Sequence, residues 1–218
     1  MSADEIVARI RSNLELKVVL SVALTVGVWG LYLSLQRHPL FPVTPLEGGW
    51  MDRSIPFLPG AVYLYESIWL LMPIAPWLMK SREELYGYSK GIALVAAASF
   101  VVFFFYPTSC PRPKGFQTGS LLYGALIQID SELNAWPSLH AAFAVFHGAC
   151  CQAVFSAGRW CGTIRWVVWI WAFGIVVSTL LTKQHVLFDA LAGAALGFVG
   201  YALCCRSTKP AAEDMKEA

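Results

Sequence analysis

Thr182 to Cys205 reads TKQHVLFDALAGAALGFVGYALCC. From Val186 onward it runs for about twenty residues with a single acid and no base, the length a helix needs to cross a bilayer. At its head stand His185 and Asp189, four apart, which a helix places on one face a turn apart. A carboxylate bonded to one ring nitrogen fixes the imidazole tautomer and leaves the other nitrogen as a directed base or nucleophile. An aspartate inside a membrane segment costs ~2.5–3.5 kcal/mol on insertion scales, so it pairs with something. The plain alternative has His185 capping the helix and Asp189 bonding a neighbouring one.

The rest of the chain matches this segment in character. Its 218 residues are 57% hydrophobic and 14% charged, where soluble domains are about half apolar and a quarter charged. Five further apolar stretches approach spanning length, near Val18–Leu35, Gly60–Met79, Gly91–Tyr106, Ser138–Phe155 and Trp166–Leu181. The expected fold is therefore an all-α integral membrane protein, six transmembrane helices in a bundle. Residues 1–17 carry Ile6, Val7, Ile10 and Leu14 at helical spacing and predict an amphipathic helix on the membrane surface. They hold two early acids and no cleavage pattern, so no cleaved leader is expected. Residues 18–205 form the membrane domain, and 206–218 a polar tail. KSREELYGYSK reads as a short charged connection between the second and third spans. A formal charge of +2 with no basic block gives nucleic-acid binding no support. The six cysteines show no CxxC spacing and read as buried small apolar residues. No metal or cofactor is implied.

Lysines and arginines set the orientation. Eleven of the sixteen fall on the side of the two termini, and Arg37, Arg53, Arg112, Lys114 and Lys183 fall on the other. Both termini are therefore expected in the cytoplasm. Arg112, His140, Lys183 and His185, from three parts of the chain, then converge on the outer face.

A second histidine opens the fourth span, in NAWPSLHAAFAVFHG, Asn134 to Gly148. Pro137 and Ser138 read as a helix start. His140 sits in the first turn, where free N–H groups and the helix dipole favour an anion. Alone, it reads as an interfacial histidine on a capped helix. Together with His185, Asp189 and an Arg-Pro unit in an outer loop, it describes a site for phosphoryl transfer. His147, two turns deeper on the same face, is read as bonding another helix. Gly193, Gly197 and Gly200 are read as allowing close packing within the bundle.

These motifs resemble the type 2 phosphatidic acid phosphatase (PAP2) superfamily. The second family motif stands as PSLH, Pro137 to His140, and the third as STLLTKQHVLFD, Ser178 to Asp189. The first is reduced to Pro111-Arg112-Pro113. The stretch DRSIPFLPGAVYLYES also resembles the branch that includes inositol phosphorylceramide synthases. The resemblance implies that His185 is a nucleophile forming a phosphohistidine, that Asp189 orients it, and that His140 is the general acid and then the base. It implies that Arg112 and Ser138 bind the phosphate. The chain departs from the family pattern at three places. Phe105 stands where a lysine precedes the first arginine, Leu139 where a glycine precedes the histidine, and Thr179 where an arginine follows the serine. Lys183 and Lys114 are candidates to replace the two missing cations.

The function this implies is hydrolysis of a lipid phosphate or diphosphate ester at the outer face, in a bacterial inner membrane. Head-group transfer is the alternative, disfavoured because a small chain with a simple outer loop offers little for a second substrate. A non-catalytic transporter binding an anion with the same residues is the rival from another class. The lack of a clear internal repeat speaks against it.

Overall fold

The computed structural model describes residues 3–110, 112–113, 120–157 and 162–205. Six helices in it are long and apolar enough to cross a membrane. They are α2 (Leu14–Arg37), a broken span over Pro59–Leu78, α7 (Arg82–Phe105), α9 (Leu139–Ala157), α10 (Gly162–Leu181) and α11 (Leu187–Cys204). Each coincides with one of the apolar stretches. The polar tail expected over 206–218 lies outside the described residues.

One boundary is corrected. KSREELYGYSK is not a connection, because α7 begins at Arg82 and takes most of it. The reason is a capping box. The Ser81 hydroxyl accepts from the Glu84 N–H at 3.0 Å, and the Glu84 carboxylate accepts from the Ser81 N–H at 3.0 Å. Free backbone groups at the helix start are thereby satisfied by polar side chains that a composition reading assigns to a loop.

The second span is broken rather than continuous. A 3-10 turn at Pro59–Ala61 leads into α4 (Val62–Glu66), α5 (Ile68–Leu71) and α6 (Ile74–Leu78). Pro73 has no N–H to give the ladder. At the first break the Ser67 hydroxyl donates to the Leu64 carbonyl at 2.6 Å and accepts the Trp171 indole N–H at 2.8 Å. The lower end is fastened by the N-terminal helix α1 (Ala3–Arg11) and the start of α2. Lys17, 1% exposed, donates to the Trp77 carbonyl at 2.9 Å and the Arg9 carbonyl at 2.6 Å. Arg9 donates to the Leu78 carbonyl at 3.3 Å. These cations meet the carbonyls that the last turn of a helix leaves unpaired.

The centre of the bundle is α9. Ala141, Ala142, Ala144, Phe146 and Cys151 on it are fully buried. α11 packs against it at very short range. A Cβ at Gly193 would overlap the Ser138 carbonyl oxygen, and one at Gly197 would overlap the Ala142 carbonyl oxygen. Only glycine admits this approach, as the small-residue spacing predicts. His147 bonds α7, also as read. Its Nδ1–H donates to the Phe143 carbonyl at 2.6 Å, so its Nε2 accepts from the Tyr88 hydroxyl at 2.9 Å.

The connections opposite the α1 end are knit together. β1 (Thr44–Pro45) and β2 (Thr108–Ser109) form a short parallel ladder. The Cys110 N–H donates to the Glu132 carbonyl at 3.0 Å, and the Trp136 N–H to the Thr108 hydroxyl at 2.8 Å. The Leu58 N–H donates to the Leu181 carbonyl at 2.8 Å. Two short helices lie here that the apolar-length reading does not contain, α3 (Trp50–Ser54) and α8 (Leu121–Ile129). α8 reaches the turn before α11, where the Tyr123 hydroxyl donates to the Thr182 carbonyl at 3.2 Å.

Candidate active site

The turn carrying His185 follows from how α10 ends. The Lys183 N–H donates to the Leu180 carbonyl at 3.1 Å and the Gln184 N–H to the Thr179 carbonyl at 3.0 Å. This is a Schellman closure with Lys183 in the left-handed position, φ 54°. Glycine is the usual occupant there, and a side chain costs about 1–2 kcal/mol. The Thr179 carbonyl also accepts the His185 N–H at 3.2 Å. The chain then enters α11 at Leu187.

His185 and Asp189 are brought together as the spacing predicts. His185 Nδ1 lies 2.9 Å from Asp189 Oδ2. A carboxylate accepts, so Nδ1 carries the proton and Nε2 keeps its lone pair. Asp189 is fully buried, while the His185 side chain is 11% exposed. Asp189 Oδ1 is buried with no hydrogen-bond partner among the described residues. The two motifs meet through the backbone, since the Ser138 N–H donates to the Asp189 carbonyl at 3.0 Å. Gly193 is what lets them meet, because any side chain there would push Ser138 away.

Ser138 is fully buried, and its hydroxyl accepts the Ala141 N–H at 3.2 Å, capping α9. His140, in the first turn, stacks on the Tyr65 ring with centroids 3.7 Å apart. Its Nε2 lies 2.8 Å from the Tyr65 carbonyl. A carbonyl only accepts, so Nε2 carries a proton and Nδ1 is the exchangeable atom. The break in the second span therefore has a use, because it brings Tyr65 to this histidine.

The described cations are held by acceptors from other parts of the chain. Arg112 donates to the Asp130 carbonyl at 2.6 Å, the Ser131 carbonyl at 2.8 Å and the Asp130 carboxylate at 3.3 Å. Its Nε is buried with no partner among the described residues. Asp130 is held in turn by the Tyr32 hydroxyl at 2.7 Å and the Gln36 amide at 2.6 Å. The Lys183 ammonium donates to the Asp52 carbonyl at 2.8 Å and the Ile55 carbonyl at 2.7 Å. Lys114 lies outside the described residues. Cys110, 4% exposed, has its thiol pushed up to about 12, first by burial and then by the Asp189 charge. It stays a thiol at neutral pH and is no nucleophile.

Sequence reasoning passes over Tyr65 and Asp130, which hold His140 and Arg112, and takes Asp52 for a solvated loop acid where the structure has it hold the His185 turn. All three act across long sequence separations. The one local signal is Val186, a helix-capping position filled by a residue with no polar side chain.

No curated protein and no solved structure matches the chain. A family model does match, over residues 32–203, which is well over half the chain. It spans both histidine motifs, the last six residues of α2 and the other five apolar helices, α11 as far as Leu203, so the chain belongs to the PAP2 superfamily.

Proposed function

We propose that the protein is a membrane lipid phosphatase that hydrolyses a lipid phosphate or diphosphate ester through a phosphohistidine. The observation that carries the reading is the buried Asp189 held 2.9 Å from His185 Nδ1, which leaves Nε2 as the attacking atom. In the first step the Nε2 lone pair bonds to phosphorus as the bond to the lipid oxygen breaks. His140, entering the step as an imidazolium whose Nε2–H stays on the Tyr65 carbonyl, gives that oxygen its Nδ1 proton. In the second step water attacks phosphorus, His140 takes its proton, and the bond to Nε2 breaks. Phosphate leaves and both histidines return to their starting state. Asp189 keeps its charge and stabilises the imidazolium. Arg112 through its Nε, which has no partner among the described residues, and the N-terminal end of α9 around Ser138 are the proposed phosphate ligands. The arginine and lysine distribution supports a site on the outer face with both termini inside. The six spans support an integral membrane protein, and a bacterial inner membrane is the proposed location. The membrane domain is proposed as residues 18–205.

The test is phosphate release from a panel of lipid phosphates by purified protein in detergent, beside H185A and H140A. Release by the wild type should fall by roughly a thousandfold or more in H185A. A reaction quenched in alkaline detergent, with the label on the lipid's phosphate, should trap label on wild-type His185. Release by H185A at the wild-type rate would remove His185 as nucleophile. Label that passes to an added lipid hydroxyl and not to water would replace hydrolysis by head-group transfer.

A further inference from the structure

We infer that Asp52, in the loop before the second span, is a positioning residue that holds the nucleophile's turn from both sides. This rests on the reading of His185 as nucleophile.

The bonds form a bracket. Asp52 Oδ1 accepts the Leu187 N–H at 2.7 Å, two residues after His185. The Asp52 carbonyl accepts the Lys183 ammonium at 2.8 Å, two residues before it. The ammonium also reaches the Ile55 carbonyl at 2.7 Å. Asp52 Oδ2 is fixed in its turn by the Gly49 N–H at 2.8 Å. The loop folds tightly on itself, a Cβ at Gly48 lying 2.9 Å from the Asp52 Cβ, and it reaches the turn, the same Cβ lying 3.6 Å from Val186 Cγ1.

Each bond answers a local deficiency. Leu187 is the first residue of α11, its N–H has no partner within the helix, and Val186 has no side chain to cap it. A carboxylate at that position is also favoured by the helix dipole. Lys183 stands in a left-handed conformation that its own side chain disfavours. Its ammonium, anchored on two carbonyls, gives a reason for lysine in place of glycine. The bracket therefore assigns Lys183 to holding the loop, and the Asp52 carboxylate covers the α11 end that an anion would otherwise seek.

Three variants separate the parts. D52A removes the cap, while D52N keeps an oxygen acceptor. K183G keeps the Schellman turn with the residue that suits it and deletes the ammonium. L187P removes the donor N–H at the one helical position where proline fits, and Val186, at ψ 165°, already has the backbone that precedes a proline. The first measurement is the rate at which diethyl pyrocarbonate modifies His185, read by peptide mass spectrometry on folded, monodisperse full-length protein. D52A, K183G and L187P should each raise the rate about fivefold, and D52N should stay within twofold. The second is steady-state phosphate release, where D52A should lower kcat about tenfold with KM unchanged. Modification at the wild-type rate in all three variants overturns the bracket. A raised KM at unchanged kcat in D52A overturns it too, because Asp52 would then contact substrate. If the wild type releases no phosphate from any lipid, the phosphatase reading falls, and the modification rates still decide the bracket.

Discussion

Two helix pairs in this bundle are built in opposite ways. Along α9 and α11 the backbones touch, with Gly193 and Gly197 seated on the carbonyl oxygens of Ser138 and Ala142. Along α2 and α7 the joint is looser, and it leaves a groove of about 580 Å³ lined by Ala23, Gly27 and Val28 on one side and Ala93, Ala97 and Phe100 on the other. The apolar window of α2 contains no buried residue, whereas α9 has the most buried window of the six. In the proposed bilayer, acyl chains fill the groove at little cost, because lipid is as apolar as the side chains it meets. A glycine seam admits no such filler. The contrast separates a joint that sets geometry from one that only needs to stay apolar. The two histidine motifs lie on the tight joint.

The largest effect should come from widening the tight joint. Gly197→Val places methyl groups against the α9 backbone, which has no rotamer by which to yield. A loss of about 3 kcal/mol or more is expected. That lowers the thermal midpoint by ~6–12 °C in a tryptophan-fluorescence melt, with phosphate release falling in parallel. A midpoint within 2 °C of wild type, on the same ~2–4 °C per kcal/mol scale, would mean the seam is softer than its geometry suggests.

An intermediate effect is expected one helix away. Tyr88→Phe leaves His147 Nε2 buried without its donor, at a cost of about 1–3 kcal/mol. The same melt should show a smaller drop, and catalysis in the remaining folded protein should be unchanged, because His147 lies two turns from His140. A selective loss of activity without loss of stability would instead make His147 part of a proton path.

The smallest effect belongs to the loose joint. Ala97→Leu adds bulk into the groove, and a change within about 0.5 kcal/mol is expected. If Ala97→Leu and Gly197→Val proved equally damaging, the distinction between the two joints would collapse.

The parts legible in the sequence are those set by local periodicity. Six apolar stretches give six helices because a hydrocarbon layer imposes one length. His185 and Asp189 meet because a helix joins residues four apart. Gly193 and Gly197 announce a close contact because small residues at that spacing let two helix backbones approach. The parts not legible depend on partners far away in the chain. Nothing near Arg112 indicates that Asp130 holds it, and nothing near His140 names the Tyr65 carbonyl. The break in the second span was written in Pro73 and Ser67, yet an apolar count passes over both. α8 is too short to register as a span, and the polar residues around it hide its start at Ser120. The start of α7 was masked for the same reason, since the charges that cap a helix look like those of a loop.

The bond from Asp52 to Leu187 joins positions 135 residues apart. A chain emerging from the ribosome carries the first half of that contact long before the second. Until the last span enters the membrane, His185 has neither Asp189 below it nor the loop beside it. On this reading a partly synthesised or truncated chain is chemically silent toward the lipids around it, and hydrolysis begins only when the final helix closes.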